Sequence, residues 1–114
     1  MNNRIYISLP MMGHDNTVLK RFEQACQFVK EKYPDAEIVG PCTIHEYTYE
    51  GRVSDRNETW AWYIGEDVKL LLTCDTIIMT RGWYNSKGCQ LEYAIARNQQ
   101  IKILHTPDSS QELD

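Results

Sequence analysis

The sequence contains no apolar run approaching the roughly 20 residues that a helix needs to cross a bilayer, so a membrane-spanning helix is excluded. Nor does it open on one. Residues 1–4 are polar and lead directly into a strand-like segment, without the apolar centre of a secretory leader. A basic excess is also missing: 12 Lys and Arg are interleaved with 16 Asp and Glu, for a net charge of -4. A nucleic-acid polymer is therefore not an expected partner, because backbone phosphates are met by clustered cations. The four cysteines, Cys26, Cys42, Cys74 and Cys89, form no C-x-x-C pair. That argues against zinc and, with no leader, for free thiols in a reducing cytoplasm. Cys26 and Cys74 fall on apolar helix faces, where cysteine acts as a small core residue. Neither a G-x-G-x-x-G nor a Walker pattern is present, which disfavours a dinucleotide oxidoreductase and a P-loop ATPase.

What is present is an ordinary globular composition. The chain has 114 residues, 42% of them hydrophobic and 25% charged, which reads as one domain over residues 1–114. Residues 4–10 (RIYISLP) are β-branched and aromatic and read as a strand. A loop follows, and Asp15 or Asn16 can cap a helix over 17–33, in which Val18, Phe22, Ala25, Cys26, Val29 and Tyr33 recur at helical spacing. Residues 37–40 form a short strand. Residues 42–57 have no clean period and read as a lid-like loop. A second helix over 58–74, a strand over 75–80, a turn, a third helix over 86–98 and a strand over 101–105 complete the chain. Residues 106–114 are polar and are expected to fray. Strands alternating with helices predict an α/β sandwich of the Rossmann or flavodoxin-like kind, with a parallel sheet of four to five strands. Ligands of such sheets bind beyond the carboxyl ends of the strands.

Two carboxylates sit in unusual sequence contexts. Trp60, Tyr63, Ile64, Leu71 and Cys74 make the apolar stripe of the second helix, and Asp67 falls inside it. A carboxylate there must be paired, hydrogen-bonded or turned to a cleft, as a structural acid or a functional one. Glu92 lies on the third helix with Gly88 one turn before and Ala96 one turn after, which leaves its carboxylate open to approach. Taken alone, Glu92 reads as a solvent-facing acid, the commoner fate of a helix carboxylate. Tyr6 lies within the first strand, on the face opposite Ile5 and Ile7. It is either a core aromatic or a hydroxyl aimed at the ligand crevice. Ser86 opens the third helix, with Gly88 just inside. This is a plain N-cap or an anion site built on free N–H groups. Met11, Gly13 and His14 form a second candidate cradle, in which Met11 packs or lines a pocket. Trp83, beside Gly82 at a strand end, suits a base-stacking wall or an oligomer rim.

Together these residues resemble the nucleoside 2-deoxyribosyltransferase-like superfamily. Residues 5–13 (IYISLPMMG) look like its first strand and loop, residues 66–75 (EDVKLLLTCD) like its acid-bearing helix, and residues 86–92 (SKGCQLE) like its nucleophile segment. The likeness spans residues 4–105 and is nearest in wording to small bacterial and phage members. It implies a mechanism in which Glu92 attacks the anomeric carbon of a nucleoside and forms a glycosyl-enzyme ester, resolved by water or a second base. Asp67 would be the acid/base or sugar-orienting group, and Tyr6 would position the nucleophile or the sugar. The Ser86-x-Gly88-x-x-x-Glu92 wording is similar to that of the nucleoside 5′-monophosphate N-glycosidases, where a serine replaces a carboxylate that would repel phosphate. The resemblance thus implies an N-glycosidase or deoxyribosyltransferase acting on a (deoxy)nucleoside 5′-monophosphate, with Ser86, Gly88, Met11, Gly13, His14 and Trp83 toward substrate. That chemistry needs no metal and no redox cofactor. The alternatives are a non-catalytic nucleotide-binding module of a mobile element using the same pocket, and an oligomer-forming accessory protein with a vestigial one. A homodimer or higher homo-oligomer is expected, with Trp60, Trp62 or Trp83 at its seam. Pro10 departs from the Gly-Ser phosphate loop of the N-glycosidases, because it has no N–H to offer.

Overall fold

A computed structural model of the chain describes residues 3–10, 16–41 and 60–109. The elements are β1 (Arg4–Ser8), α1 (Asn16–Lys32), β2 (Glu37–Val39), α2 (Trp60–Leu71), β3 (Thr76–Met79), a 3-10 turn (Trp83–Asn85), α3 (Lys87–Asn98) and β4 (Lys102–His105). The four strands form one all-parallel sheet in the order β2-β1-β3-β4. This is the expected Rossmann or flavodoxin-like α/β architecture. The chain runs outward from β1 to β2, then reverses to β3 and β4, so the switch in strand order lies between β1 and β3.

The direction of each connection decides which face its helix covers, because parallel crossovers are right-handed. The two core clusters follow this rule. Ile5, Ile7, Leu9 and Ile78 pack with Val18, Ala25 and Val29 of α1. Tyr6, Val39, Ile77 and Met79 pack on the other face with Leu71, Cys74, Cys89 and Ala96, from α2, α3 and the turn after α2. The period-two alternation of β1 thus sends Ile5 and Ile7 toward α1, and Tyr6 and Ser8 toward α2 and α3. Both sheet faces are apolar through the middle strands, as a parallel sheet requires.

Observed element ends differ from the expected ones by one or two residues in most places. The first strand stops at Ser8, before Pro10, which lacks the N–H needed to continue the ladder. The second helix ends at Leu71, and Cys74 lies buried in the turn beyond it. A 3-10 turn replaces the simple turn before α3. It begins after Gly82, whose φ of 84° is left-handed and suits glycine. Residues 106–109, placed at the start of the tail, are tied to the fold. Thr106 N–H donates to the Met79 carbonyl at 3.0 Å, and Ser109 is fully buried. Among the described residues no helix is long and apolar enough to cross a membrane. The lid-like loop expected over residues 42–57 falls outside the described residues.

Candidate functional site

Glu92 lies at the centre of the site. It is 3% exposed, which corrects the solvent-facing reading of its helix position. The reason is the inward face of α3: Cys89, Glu92 and Ala96 stand at i, i+3 and i+7, and all three are buried. The small neighbours do not open a lane to solvent as expected. Ala96 is fully buried in the core, and a methyl group added at Gly88 would come within 3.2 Å of Ile64 Cδ1. Gly88 therefore lets α2 pack closely against the first turn of α3.

Both oxygens of the Glu92 carboxylate are held from β1. The Tyr6 hydroxyl donates to Oε2 at 2.6 Å, and the Ser8 hydroxyl donates to Oε1 at 2.7 Å. The distances are those of charge-assisted O–H···O bonds. Tyr6 and Ser8 can share one carboxylate because they lie two residues apart on one face of the strand. Ser8 is fixed in turn. Its carbonyl accepts from the Thr80 hydroxyl at 2.9 Å, which ties the ends of β1 and β3 together at the switch point. Ser8 was absent from the sequence-derived site. The signal was available: it is the single hydroxyl in the run Ile7-Ser8-Leu9, and it shares a face with Tyr6.

Asp67 is buried at 7% exposure on α2, as its place in the apolar stripe requires. Its negative charge bears on both Glu92 and Tyr6. Burial pushes the Glu92 carboxyl up from the usual 4.5 to about 7. The two hydroxyl donors hold it down against that, and the Asp67 charge adds to the rise. Burial first, and then the charges of Glu92 and Asp67, raise the Tyr6 phenol well above its ordinary value, so it remains a donor. Cys89, one turn before Glu92, is pushed up to about 11 by burial and by the Glu92 charge. Hydrogen bonds with Ser8 and Ser86 partly offset this. The thiol is therefore neutral and belongs to the same polar network. The arrangement supplies a carboxylate poised near neutral pH, with fixed orientation, and a second acid within electrostatic reach.

Ser86 caps α3, its Oγ accepting from the Cys89 N–H at 3.3 Å. Trp83 is half-buried, and one ring face is already taken. It stacks on Tyr93 with centroids 4.7 Å apart and lies against His105. Its Nε1 is enclosed without a hydrogen-bond partner. Met11, Gly13 and His14 lie outside the described residues. No cluster of metal-ligating side chains occurs among the described residues. The structure thus joins Tyr6, Ser8 and Glu92 by direct bonds. Asp67 acts on Tyr6 and Glu92 through its charge, and Ser86 caps α3, with Gly88 and Cys89 in its first turn.

No curated protein matches the sequence. A family model does, over residues 3–105, a span that contains every side chain of this cluster. The chain belongs to the family described as a domain of unknown function, DUF4406.

Proposed function

We propose that the protein cleaves or exchanges the N-glycosidic bond of a (deoxy)nucleoside 5′-monophosphate, with Glu92 as the nucleophile. The observation that carries this reading is the Glu92 carboxylate itself. It is buried, held on both oxygens by hydroxyl donors, and poised near pH 7. A structural carboxylate gains little from such a high pKa, whereas a group that must be ionised to attack and then leave as an ester is matched by it. The likeness of residues 5–13, 66–75 and 86–92 to the nucleoside 2-deoxyribosyltransferase-like superfamily supports the same roles.

In the first step a lone pair of a Glu92 oxygen forms a bond to C1′. The bond from C1′ to the base nitrogen breaks, and the base leaves with that electron pair and takes up a proton. Each Glu92 oxygen keeps a lone pair beyond the one engaged by Tyr6 or Ser8. In the second step water, or a second base, attacks C1′ and releases Glu92 as the carboxylate, with net retention. Asp67 is the group assigned to the proton transfers or to orienting the sugar. Tyr6 and Ser8 hold the nucleophile at one angle, so little orientation is lost on the way to the transition state. Ser86 and the N–H groups at the start of α3 suit the 5′-phosphate. A homo-oligomer that completes the pocket belongs to this proposal.

The test is incubation with a panel of ribo- and 2′-deoxyribonucleoside 5′-monophosphates, followed by chromatography for free base. Release by the wild type and not by Glu92→Gln supports the reading. Tight binding of a monophosphate without release, unaffected by Glu92→Gln, favours the non-catalytic nucleotide-binding module.

A further inference from the structure

The face of the sheet opposite Glu92 borders a cavity of its own. Among the described helices α1 alone covers that face, because the right-handed connections place α2 and α3 on the other side. Beyond the flank of α1, over the ends of β3 and β4, lies a cavity of about 690 Å³. Cavities of several hundred Å³ with a few convergent polar groups are the usual size of small-ligand sites. The floor and one wall are apolar, from Leu9, Ala25 and Phe28.

The polar groups of this cavity are unevenly charged. Arg21 and Gln24 stand one turn apart on the α1 flank, with Phe28 a further turn on. Arg21 is half-buried, and its Nη2 donates to the Arg81 carbonyl at 2.8 Å. That bond fixes the guanidinium without neutralising it. Elsewhere Arg4 pairs with Glu37, and Lys69 with Glu66 at 2.7 Å. Arg21 pairs with no carboxylate among the described residues. Arg81 also lines the cavity. The acid in the lining, Asp108, belongs to the segment after β4 and accepts the Thr106 hydroxyl at 2.7 Å. A guanidinium held at one N–H keeps a fork of donors for a planar or tetrahedral oxyanion.

We infer that this cavity binds a small organic oxyanion of nucleotide size, its phosphate or carboxylate on Arg21, its hydrogen-bonding edge on Gln24 and its flat apolar part against Phe28. The inference stands apart from the reaction proposed at Glu92.

The experiment is a two-dimensional NMR titration of the full chain with AMP, with adenosine and with orotate, following the Arg21 Nε–H and the Gln24 side-chain amide. Saturable shifts of both groups with AMP or orotate, and none with adenosine, are expected. AMP acting alone assigns the site to phosphates, and orotate acting alone assigns it to carboxylates. Arg21→Gln should weaken the binding by roughly tenfold or more, and Arg21→Lys by less. Both changes lie on a half-exposed position, and the spectrum reports whether the fold is kept. Unmoved Arg21 and Gln24 signals, equal binding of adenosine, or unchanged affinity in Arg21→Gln overturns the inference. Shifts confined to Tyr6, Asp67, Ser86 and Glu92 would overturn it while leaving the reading of Glu92 in place.

Discussion

The Tyr6 hydroxyl donates to Glu92 Oε2 at 2.6 Å, joining the first strand to the last helix across most of the chain. The bond spans the interface between the sheet and α3, so the catalytic geometry proposed for Glu92 is inseparable from the packing of the core. Neither partner is near its ordinary protonation equilibrium: the Glu92 charge adds to the rise of the Tyr6 phenol, while the Tyr6 hydrogen bond restrains the rise that burial imposes on Glu92.

Glu92 makes the folded protein sensitive to pH in a direction opposite to a salt-bridged acid. Its folded pKa, about 7, lies above the ordinary 4.5. The folded chain therefore holds the Glu92 proton where the unfolded chain has lost it. This contribution to stability is unaffected below about pH 4.5, declines as pH rises to about 7, and is level beyond. At about 1.4 kcal/mol per pH unit the decline amounts to roughly 3 kcal/mol. Glu92→Gln removes the term. The variant is expected to be more stable than the wild type at pH 8 and to show a flatter denaturation midpoint between pH 4.5 and 7, as followed by urea unfolding.

Removing a donor from Glu92 should raise its pKa further, since both hydroxyls hold it down. Tyr6→Phe and Ser8→Ala are each expected to shift the Glu92 carboxyl titration upward, read from the side-chain carbon resonance of labelled protein. If Glu92 must be ionised to attack, the acid limb of the pH–rate profile moves up with it. A purely packing role would lower the rate and leave the limb in place. The two changes share one acceptor, so their stability effects should be non-additive, with a coupling of about 0.5–3 kcal/mol in a double-mutant cycle.

Much of this site was legible in the sequence. The alternation of Ile5, Tyr6 and Ile7 placed Tyr6 on its own face, and the apolar stripe around Asp67 announced a buried acid. Glu92 was not legible from its helix alone. Reading Gly88 and Ala96 as an open lane missed that Cys89, Glu92 and Ala96 share the packed side. Small residues on a helix can admit a ligand or a neighbouring element, and here they admit α2 and the sheet. Ser8 escaped because a serine between apolar residues has no period of its own. Only its spacing from Tyr6 gives it meaning.

Gly88 makes the contact with α2 testable. Gly88→Ala places a methyl 3.2 Å from Ile64 Cδ1, which a small shift of that side chain absorbs. Its stability should change by no more than about 1 kcal/mol, helped by the better helix propensity of alanine. Gly88→Leu overfills the contact and should cost about 1–3 kcal/mol. Asp67 lies one turn beyond Ile64 on α2 and should move with it. Ile64→Ala in the Gly88→Leu background should restore part of the stability, measured by thermal unfolding.

The cysteine network gives a chemical test of burial. Cys89 is 2% exposed and its thiol is pushed up to about 11, so it offers almost no thiolate at pH 8. Iodoacetamide should modify Cys89 only after unfolding, as peptide mass spectrometry would show. Rapid labelling in the native protein would mean that the Ser8–Glu92–Cys89 region opens readily.

The most direct measurement of the central claim is an acid-quenched incubation with 2′-deoxyribonucleoside 5′-monophosphates, followed by mass analysis of the peptide that contains Glu92. The account predicts free base in solution and a fraction of that peptide carrying a deoxyribosyl phosphate, both absent in Glu92→Gln. Base release that persists in Glu92→Gln, or a wild type that releases no base from any member of the panel, would contradict it.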